Sequence, residues 1–253
     1  MKLEKIITLE EDLFPKLITN YIETSYGILF YNEDNKISYD SNHAVIYKDK
    51  IDHLDQVLNE ISEFYLSKGI HPSIYQATED QSYFTDNIET FTKMNFKVWT
   101  ETPSKFMLLE ADNQLDIEIS LEIREATEWD QRIADDICIP SEEAYEIEVF
   151  KSAIYHKDSK VFVAYKDNMA VAILTLHQSS LGCVRFDYIL VSKTHRQYGY
   201  GKQLISFVTD YCRNHGLVNS YMWPAHEVSE KISFQAGFRY IFTRETVRAS
   251  YIK

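Results

Sequence analysis

The sequence predicts an α/β fold, a mixed and mostly antiparallel sheet with helices on both faces, laid out twice along the chain. Residues 116–253 run through three apolar strands in a meander and then through helix, strand, helix and strand. Antiparallel strands that lead into a strand, helix, strand unit make a mixed sheet covered on both sides. A shift of 147 positions lays the first half on the second, and the polar stretch "EADNQLD" at 110–116 separates them. Domains are therefore expected at 1–115 and 116–253.

The repeat is clearest at one helix and the strand after it. "DQVLNEISEFYLSKGIHPS" (55–73) falls on "KQLISFVTDYCRNHGLVNS" (202–220), so Gln56 meets Gln203, Gly69 meets Gly216 and Ser73 meets Ser220. Val57, Leu58, Ile61 and Phe64 meet Leu204, Ile205, Val208 and Tyr211, one amphipathic face in both copies. Each helix stops at a glycine suited to a left-handed cap, and a short strand follows. "FTKMNFKVW" (91–99) then parallels "SFQAGFRYI" (233–241). In chain order the second copy reads as a strand at 120–126, a helical region at 127–156, and strands at 160–166, 170–178 and 183–191. Asp167-Asn168 makes the tight hairpin between the second and third strands. A helix at 200–214, a strand at 218–223, a helix at 227–236 and a last pair of strands from Phe238 complete it.

Composition narrows the class. With 253 residues, 45% hydrophobic and 26% charged, the chain can bury one large core or two ordinary ones. No run reaches the roughly 18 apolar residues of a membrane span, and "MKLEKIITLEEDLF" lacks a secretory apolar stretch, so a cytoplasmic protein without a membrane partner is expected, as a monomer or homodimer. Cys138, Cys183 and Cys212 lack paired spacing, and His156, His177 and His195 lack ligand spacing. Neither a disulfide framework nor a metal site is expected. A net charge of -13 disfavours nucleic acid. Residues 1–115 carry 20 acidic against 10 basic side chains and residues 116–253 carry 19 against 16, so an anionic ligand should prefer the second half.

That half holds "HRQYGYGKQLISF" (195–207), in which Gly199 and Gly201 stand beside Arg196 at the mouth of the predicted helix. The first turn of a helix has unpaired N–H groups and the positive end of the macrodipole, which together attract phosphate. Glycine lets consecutive amides aim at one point and lets the backbone approach an oxygen closely. Arg196 and Lys202 add cationic donors. The same glycines also serve a plain strand-to-helix turn. Neither a dinucleotide fingerprint nor a Walker loop fits, because Leu204 stands at the third glycine position and Gln203 follows Lys202.

"RQYGYG", five residues after Val191, resembles the R/Q-x-x-G-x-G/A signature of the GNAT superfamily of acyl-CoA N-acyltransferases, and "ISFQAGFRYI" resembles that family's closing segment. The resemblance covers about residues 118–250. It implies tandem GNAT-like folds, with acetyl-CoA as co-substrate and its pyrophosphate on the amides of Arg196, Gln197, Tyr198, Gly199, Tyr200, Gly201 and Lys202. It places the pantetheine along Ile189, Leu190 and Val191, where a bulge splays strand 183–191 from strand 218–223. An amine of a small molecule or peptide would be acetylated there.

The chemistry asks for a held neutral amine, an oxyanion donor and a base. Backbone near Leu190 or Val191 could be the donor. Relatives often carry the base four or six residues before the position of Val191, which here gives Asp187 and Arg185. Because strand side chains alternate, Asp187 is expected on one face with Ile189 and Val191 and is the candidate base or amine-binding carboxylate; the alternative is an ion pair with Arg185. The family's usual tyrosine acid is replaced by Ser233, a far weaker acid, which could bond the sulfur or relay through water. His226, where asparagine is frequent, reads as an acid or as a solvated loop residue. Glu142, Glu143, Glu146 and Glu148 would suit a cationic acceptor or simply form a solvated face.

In the first half the alignment sets Asp49, Asp52 and Leu54 opposite Arg196, Gly199 and Gly201. Two carboxylates repel a pyrophosphate and Leu54 brings a Cβ, so this copy is expected to be degenerate and not to bind the coenzyme. A non-catalytic acyl-CoA-binding or interaction module is the rival reading of the whole.

Overall fold

The computed structural model describes residues 2–110 and 117–252. Its helices are α1 (Leu3–Leu13), α2 (Leu54–Ser67), α3 (Tyr83–Asp86), α4 (Ile88–Lys93), α5 (Ile147–Tyr155), α6 (Tyr200–Asn214) and α7 (Glu227–Gln235). Its strands are β1 (Asn20–Glu23), β2 (Gly27–Tyr31), β3 (His43–Ile46), β4 (Ser73–Gln76), β5 (Phe96–Thr100), β6 (Ser104–Leu109), β7 (Glu122–Glu125), β8 (Ser159–Lys166), β9 (Met169–Gln178), β10 (Val184–Val191), β11 (Ser220–Met222), β12 (Phe238–Arg244) and β13 (Val247–Tyr251). Among the described residues no helix is long and apolar enough to cross a membrane.

The chain makes two compact units. The first joins Thr8–Ser104 to Arg244–Lys253, and the second joins Lys2–Ile7 to Lys105–Thr243. Their sheets run β1-β2-β3-β4-β13-β5 and β7-β8-β9-β10-β11-β6-β12. Apart from β7, the two orders correspond strand for strand. In each, one parallel pair, β3 with β4 or β10 with β11, is bridged by the long helix, α2 or α6. Parallel neighbours need such a crossover, whereas antiparallel pairs such as β1 with β2 and β8 with β9 are joined by short turns. Asp167 and Asn168, both at positive φ, make the turn between β8 and β9.

The next-to-last strand of each sheet stands out of chain order. β6, made early in the chain, pairs with β11 in the second sheet, and β13, made last, inserts between β4 and β5 in the first. A single division at 115/116 does not describe this arrangement, and residues 111–116 of the polar segment read as the boundary lie outside the described residues. The expected final strand pair is likewise corrected: β12 stays in the second sheet and β13 joins the first. Local sequence marks these segments as strands without naming their neighbours, so it leaves their pairing open.

Of the expected shared face, Val57, Leu58 and Ile61 in α2 and Leu204, Ile205 and Val208 in α6 are buried, whereas Phe64 and Tyr211 are only partly so. Leu54, Val57, Leu58, Ile61, Ser62 and Tyr65 of α2 are buried, and the residues 147 positions on, Gly201, Leu204, Ile205, Val208, Thr209 and Cys212, are buried in α6. Leu58 and Ile61 are fully enclosed with Ile74 and Ile46 in the first core, and Leu204 and Val208 with Leu174 and Val184 in the second. Enclosure of each such side chain contributes about 1.5–3 kcal/mol. A further core on the other side of the second sheet gathers Ile137, Phe150, Ile173 and Leu190. All three cysteines are buried and reduced.

Candidate functional site at the splay of two strands

The site begins with one extra residue in β10. Phe186 faces Leu176 on β9, but the next register partner is Ile189 with Leu174, so Asp187 and Tyr188 together stand opposite Thr175. This is a bulge. The Tyr188 N–H, displaced from the ladder, donates to Thr175 Oγ1 at 3.2 Å. On its other edge β10 pairs with β11 only at Val184 with Ser220 and Arg185 with Tyr221. Alternate main-chain groups over 186–191 therefore face a gap rather than a strand.

The bulge also changes which side chains share a face. Val184, Phe186, Ile189 and Val191 pack with α6, whereas Tyr188 and Leu190 pack on the opposite side with Phe150. Asp187 precedes the inserted residue and bonds Arg185, so it does not share the face of Ile189 and Val191. Strict alternation fails here because the bulge adds one position to the count.

Asp187 lies in a polar line across the sheet. Arg185 Nη1 is ion-paired to its Oδ1, and His177 Nε2 lies 3.3 Å from its Oδ2. His177 Nδ1 is 2.7 Å from Ser159 Oγ. The Arg185 guanidinium also stands 5.8 Å from the Trp223 ring. His177 is buried, and burial, with Arg185 beside it, lowers its pKa to about 3. The ring is neutral at ordinary pH. The ion-pair alternative for Asp187 is thus present, in a larger network than residue order suggested.

Beyond Val191 the chain turns into α6. Ser192 is tied down by its hydroxyl, which donates to the Asp136 carbonyl at 2.5 Å, and by its N–H to Val171 O at 2.9 Å. Arg196 reaches back to the Val191 carbonyl at 3.3 Å. Gln197 has φ 71°, and Gly199, with φ 77°, is the residue before the helix. No side chain caps α6, so its first amides are offered outward. Arg196, Gln197, Tyr198 and Gly199 are exposed, and the rings of His195, Tyr200 and Tyr198 stack along the loop. Lys202 is half-buried one turn in.

The two glycines do different things. A Cβ on Gly199 would meet nothing within 4 Å, so that position requires glycine for its left-handed backbone. Gly201 is buried, and a Cβ there would lie 3.1 Å from Val191 Cγ2, so it permits α6 to lie close on β10. The open Gly199 side is where an anion has room to approach.

The two residues expected to supply a proton have other bonds. Ser233 is 1% exposed and its hydroxyl donates to the Ser229 carbonyl, one turn back in α7, at 2.7 Å. His226 is the N-cap of α7: its ring accepts the N–H of Ser229 while its own N–H donates to Ser229 Oγ at 3.1 Å. These are helix-end and helix-interior duties. In the structure both side chains are engaged within α7.

On the Tyr188 side the acidic segment divides. Glu142 pairs with Lys193 at 2.5 Å and Glu148 with Lys151 at 2.8 Å. Glu143 and Glu146 remain close to Tyr145, Tyr188 and Cys138. Burial, then these two carboxylates, raises the Tyr188 hydroxyl well above its usual range and the Cys138 thiol to about 12. A hydrogen bond to Glu143, ahead of burial, raises Tyr145 to about 12. Ser159, Thr175 and Tyr188 escaped the sequence reading, and His177 entered it only as a histidine without ligand spacing. Their one signal was Thr175-x-His177 on a strand facing Arg185-x-Asp187. Among the described residues no group of metal-binding side chains is assembled.

Residues 123–234 match the acetyltransferase (GNAT) family and form a GNAT acetyltransferase domain. No curated protein matches the chain. A GCN5-related N-acetyltransferase from Kribbella flavida is similar over 98% of this chain and 95% of its own, with TM-score 0.66 and 12% identity. A functionally unknown conserved protein from Staphylococcus epidermidis is similar over 93% and 96%, with TM-score 0.62 and 14% identity. An acetyltransferase from Colwellia psychrerythraea covers 100% and is covered over 98%, with TM-score 0.52 and 11% identity. At these identities the likeness is one of fold.

Proposed function

We propose that the protein transfers the acetyl group of acetyl-CoA to a primary amine of a small molecule or peptide, in the second unit. The observation that supports this most is the departure of β11 from β10 after Arg185, which leaves the backbone of 186–191 facing a gap that ends at the uncapped start of α6. The coenzyme's pyrophosphate would be held by the amides from Arg196 to Lys202, with Gly199 leaving the approach open, and its pantetheine would pair with β10 at Ile189, Leu190 and Val191. Bound there, acetyl-CoA supplies an activated acyl carbon. A main-chain N–H near Leu190 or Val191 would donate to the carbonyl oxygen as negative charge gathers on it.

Asp187 would hold the acceptor's ammonium and take its proton, directly or through water, before the nitrogen attacks. The attacking nitrogen's second proton would pass to the departing sulfur, so no side-chain acid is required. The first unit, with Leu54 in the place of Gly201 and no splay, would be a degenerate copy that does not bind the coenzyme. A second reading, an acyl-CoA-binding or interaction module without turnover, draws on the structural duties of Ser233 and His226.

Calorimetry with acetyl-CoA and release of free thiol across an amine panel test both readings. Binding at one site with amine-dependent thiol release is the expected result. Binding without release across the panel supports the module, and no binding overturns the assignment.

A further inference from the structure

We propose that Ser159 and His177 are positioning residues that fix the orientation of the Asp187 carboxylate through a hydrogen-bonded line crossing three strands; this rests on the role given to Asp187 above. The line follows sheet register. Ser159 on β8 is the direct partner of His177 on β9, and His177 is the direct partner of Arg185 on β10, two residues before Asp187. Direct cross-strand partners present side chains to the same face.

The chemistry of each group orders the protons along the line. An ionised carboxylate only accepts, so the 3.3 Å approach of His177 Nε2 to Asp187 Oδ2 places a proton on Nε2. A neutral imidazole then keeps a lone pair on Nδ1, and the Ser159 hydroxyl at 2.7 Å fills it as donor. Among the groups that face His177 are Ser159 from β8 and Arg185 and Asp187 from β10. Burial and Arg185 keep the ring neutral, so this arrangement does not depend on pH near neutrality.

Serine, histidine and aspartate in this order also make nucleophilic triads, in which the carboxylate stabilises an imidazolium. Here Arg185 takes the other carboxylate oxygen and opposes a second positive charge beside it. His177 therefore cannot readily accept the Ser159 proton. What remains is a fixed donor: the imidazole holds Oδ2, Arg185 holds Oδ1, and the carboxylate at the bulge is held from both sides.

Long-range proton–nitrogen spectra of the full-length protein between about pH 5 and pH 8 test the line directly, because they report which ring nitrogen carries the proton. His177 is expected to stay neutral and protonated on Nε2. Ser159→Ala should admit the other tautomer and Ser159→Thr should restore the first. A ring that titrates near the ordinary value of about 6.5, or a proton on Nδ1 in the unmodified protein, overturns the proposal.

In turnover, His177→Leu should lower kcat by roughly tenfold, the size of one charge-assisted bond, with the KM for acetyl-CoA unchanged. His177→Gln, which keeps an N–H donor, should recover most of it, and melting curves for both separate the effect from unfolding. An Asp187→Asn variant with normal turnover overturns the role of Asp187 and the positioning role with it. An inactive Asp187→Asn beside a fully active His177→Leu overturns the positioning role alone.

Discussion

The two units share a strand order and differ in where their parallel pair ends. In the first, Ala44, Val45 and Ile46 of β3 face Ile74, Tyr75 and Gln76 of β4, so pairing continues to the end of both strands, and β2 meets β3 in unbroken register from Gly27 to Phe30. In the second, pairing with β11 ends at Arg185 while β10 continues to Val191, and the bulge at Asp187 and Tyr188 bends the strand in between. The helices that follow begin differently too. His53 precedes α2 in an extended conformation and Leu54 is buried at the position of Gly201, whereas Gly199 precedes α6 in a left-handed one. One inserted strand residue and two glycines mark the second unit where the first has unbroken pairing and Leu54.

The most damaging way to erase that difference is to give the second unit the residue of the first. Gly201→Leu places a side chain whose Cβ alone comes within 3.1 Å of Val191, and it should weaken acetyl-CoA binding by roughly 100-fold or more in calorimetry. Overpacking of this kind costs about 1–3 kcal/mol before any coenzyme contact is lost. Unaltered affinity would show that α6 need not lie close on β10.

Acid separates the units next. His177 in the second unit and His43 in the first are buried neutral rings, lowered to about 3 and about 4, in each case by burial first. The unfolded chain takes up a proton below about pH 6.5 that neither folded ring accepts until those lower values. Each contribution is complete above about pH 6.5 and is lost as pH falls, with a slope of up to about 1.4 kcal/mol per pH unit. Urea midpoints should therefore drop between about pH 6.5 and pH 4, and His43→Gln or His177→Gln should each flatten part of the slope. A midpoint independent of pH in that window contradicts the burial of both rings as neutral groups.

Gly199→Ala should have a smaller effect, about 1–2 kcal/mol of stability and a severalfold loss of coenzyme affinity, because alanine must hold φ near 77°. The matching Asp52→Gly in the first unit should gain no affinity for acetyl-CoA. The smallest expected effect is none: Leu54→Gly should leave the binding stoichiometry at one, since a glycine without a splay offers no gap. A second bound coenzyme would break the comparison.

Much of the fold was legible before the structure. The amphipathic face repeated at 147 positions matches the buried residues of α2 and α6, and the hairpin at Asp167 and Asn168 forms where the turn residues placed it. The pairing of β6 and β13 was not legible, because alternation marks a strand and says nothing of its neighbour. In the site, the loop from Arg196 to Lys202 was located by its glycines, but Gly201 answers to Val191 rather than to a ligand approach. Asp187 was expected on the face of Ile189 and Val191 and lies on the other, because a bulge changes side-chain parity without leaving a pattern in residue type. The helix bonds of Ser233 and His226 were not legible for a related reason: hydroxyl and imidazole groups near a helix are as readily spent on main-chain atoms as on substrate.

The exchange of β6 and β13 sets a timetable for synthesis. β5 has β13 as its partner, so residues 96–100 must wait for residues 247–251 before their ladder can close. The ribosome must make the whole stretch between β5 and β13 before the earlier sheet can be finished, which leaves that sheet open to chaperones and to proteases while the later one assembles. Two separately expressed halves cut near residue 115 would each carry the other's strand, and should associate with one another rather than persist as independent monomers.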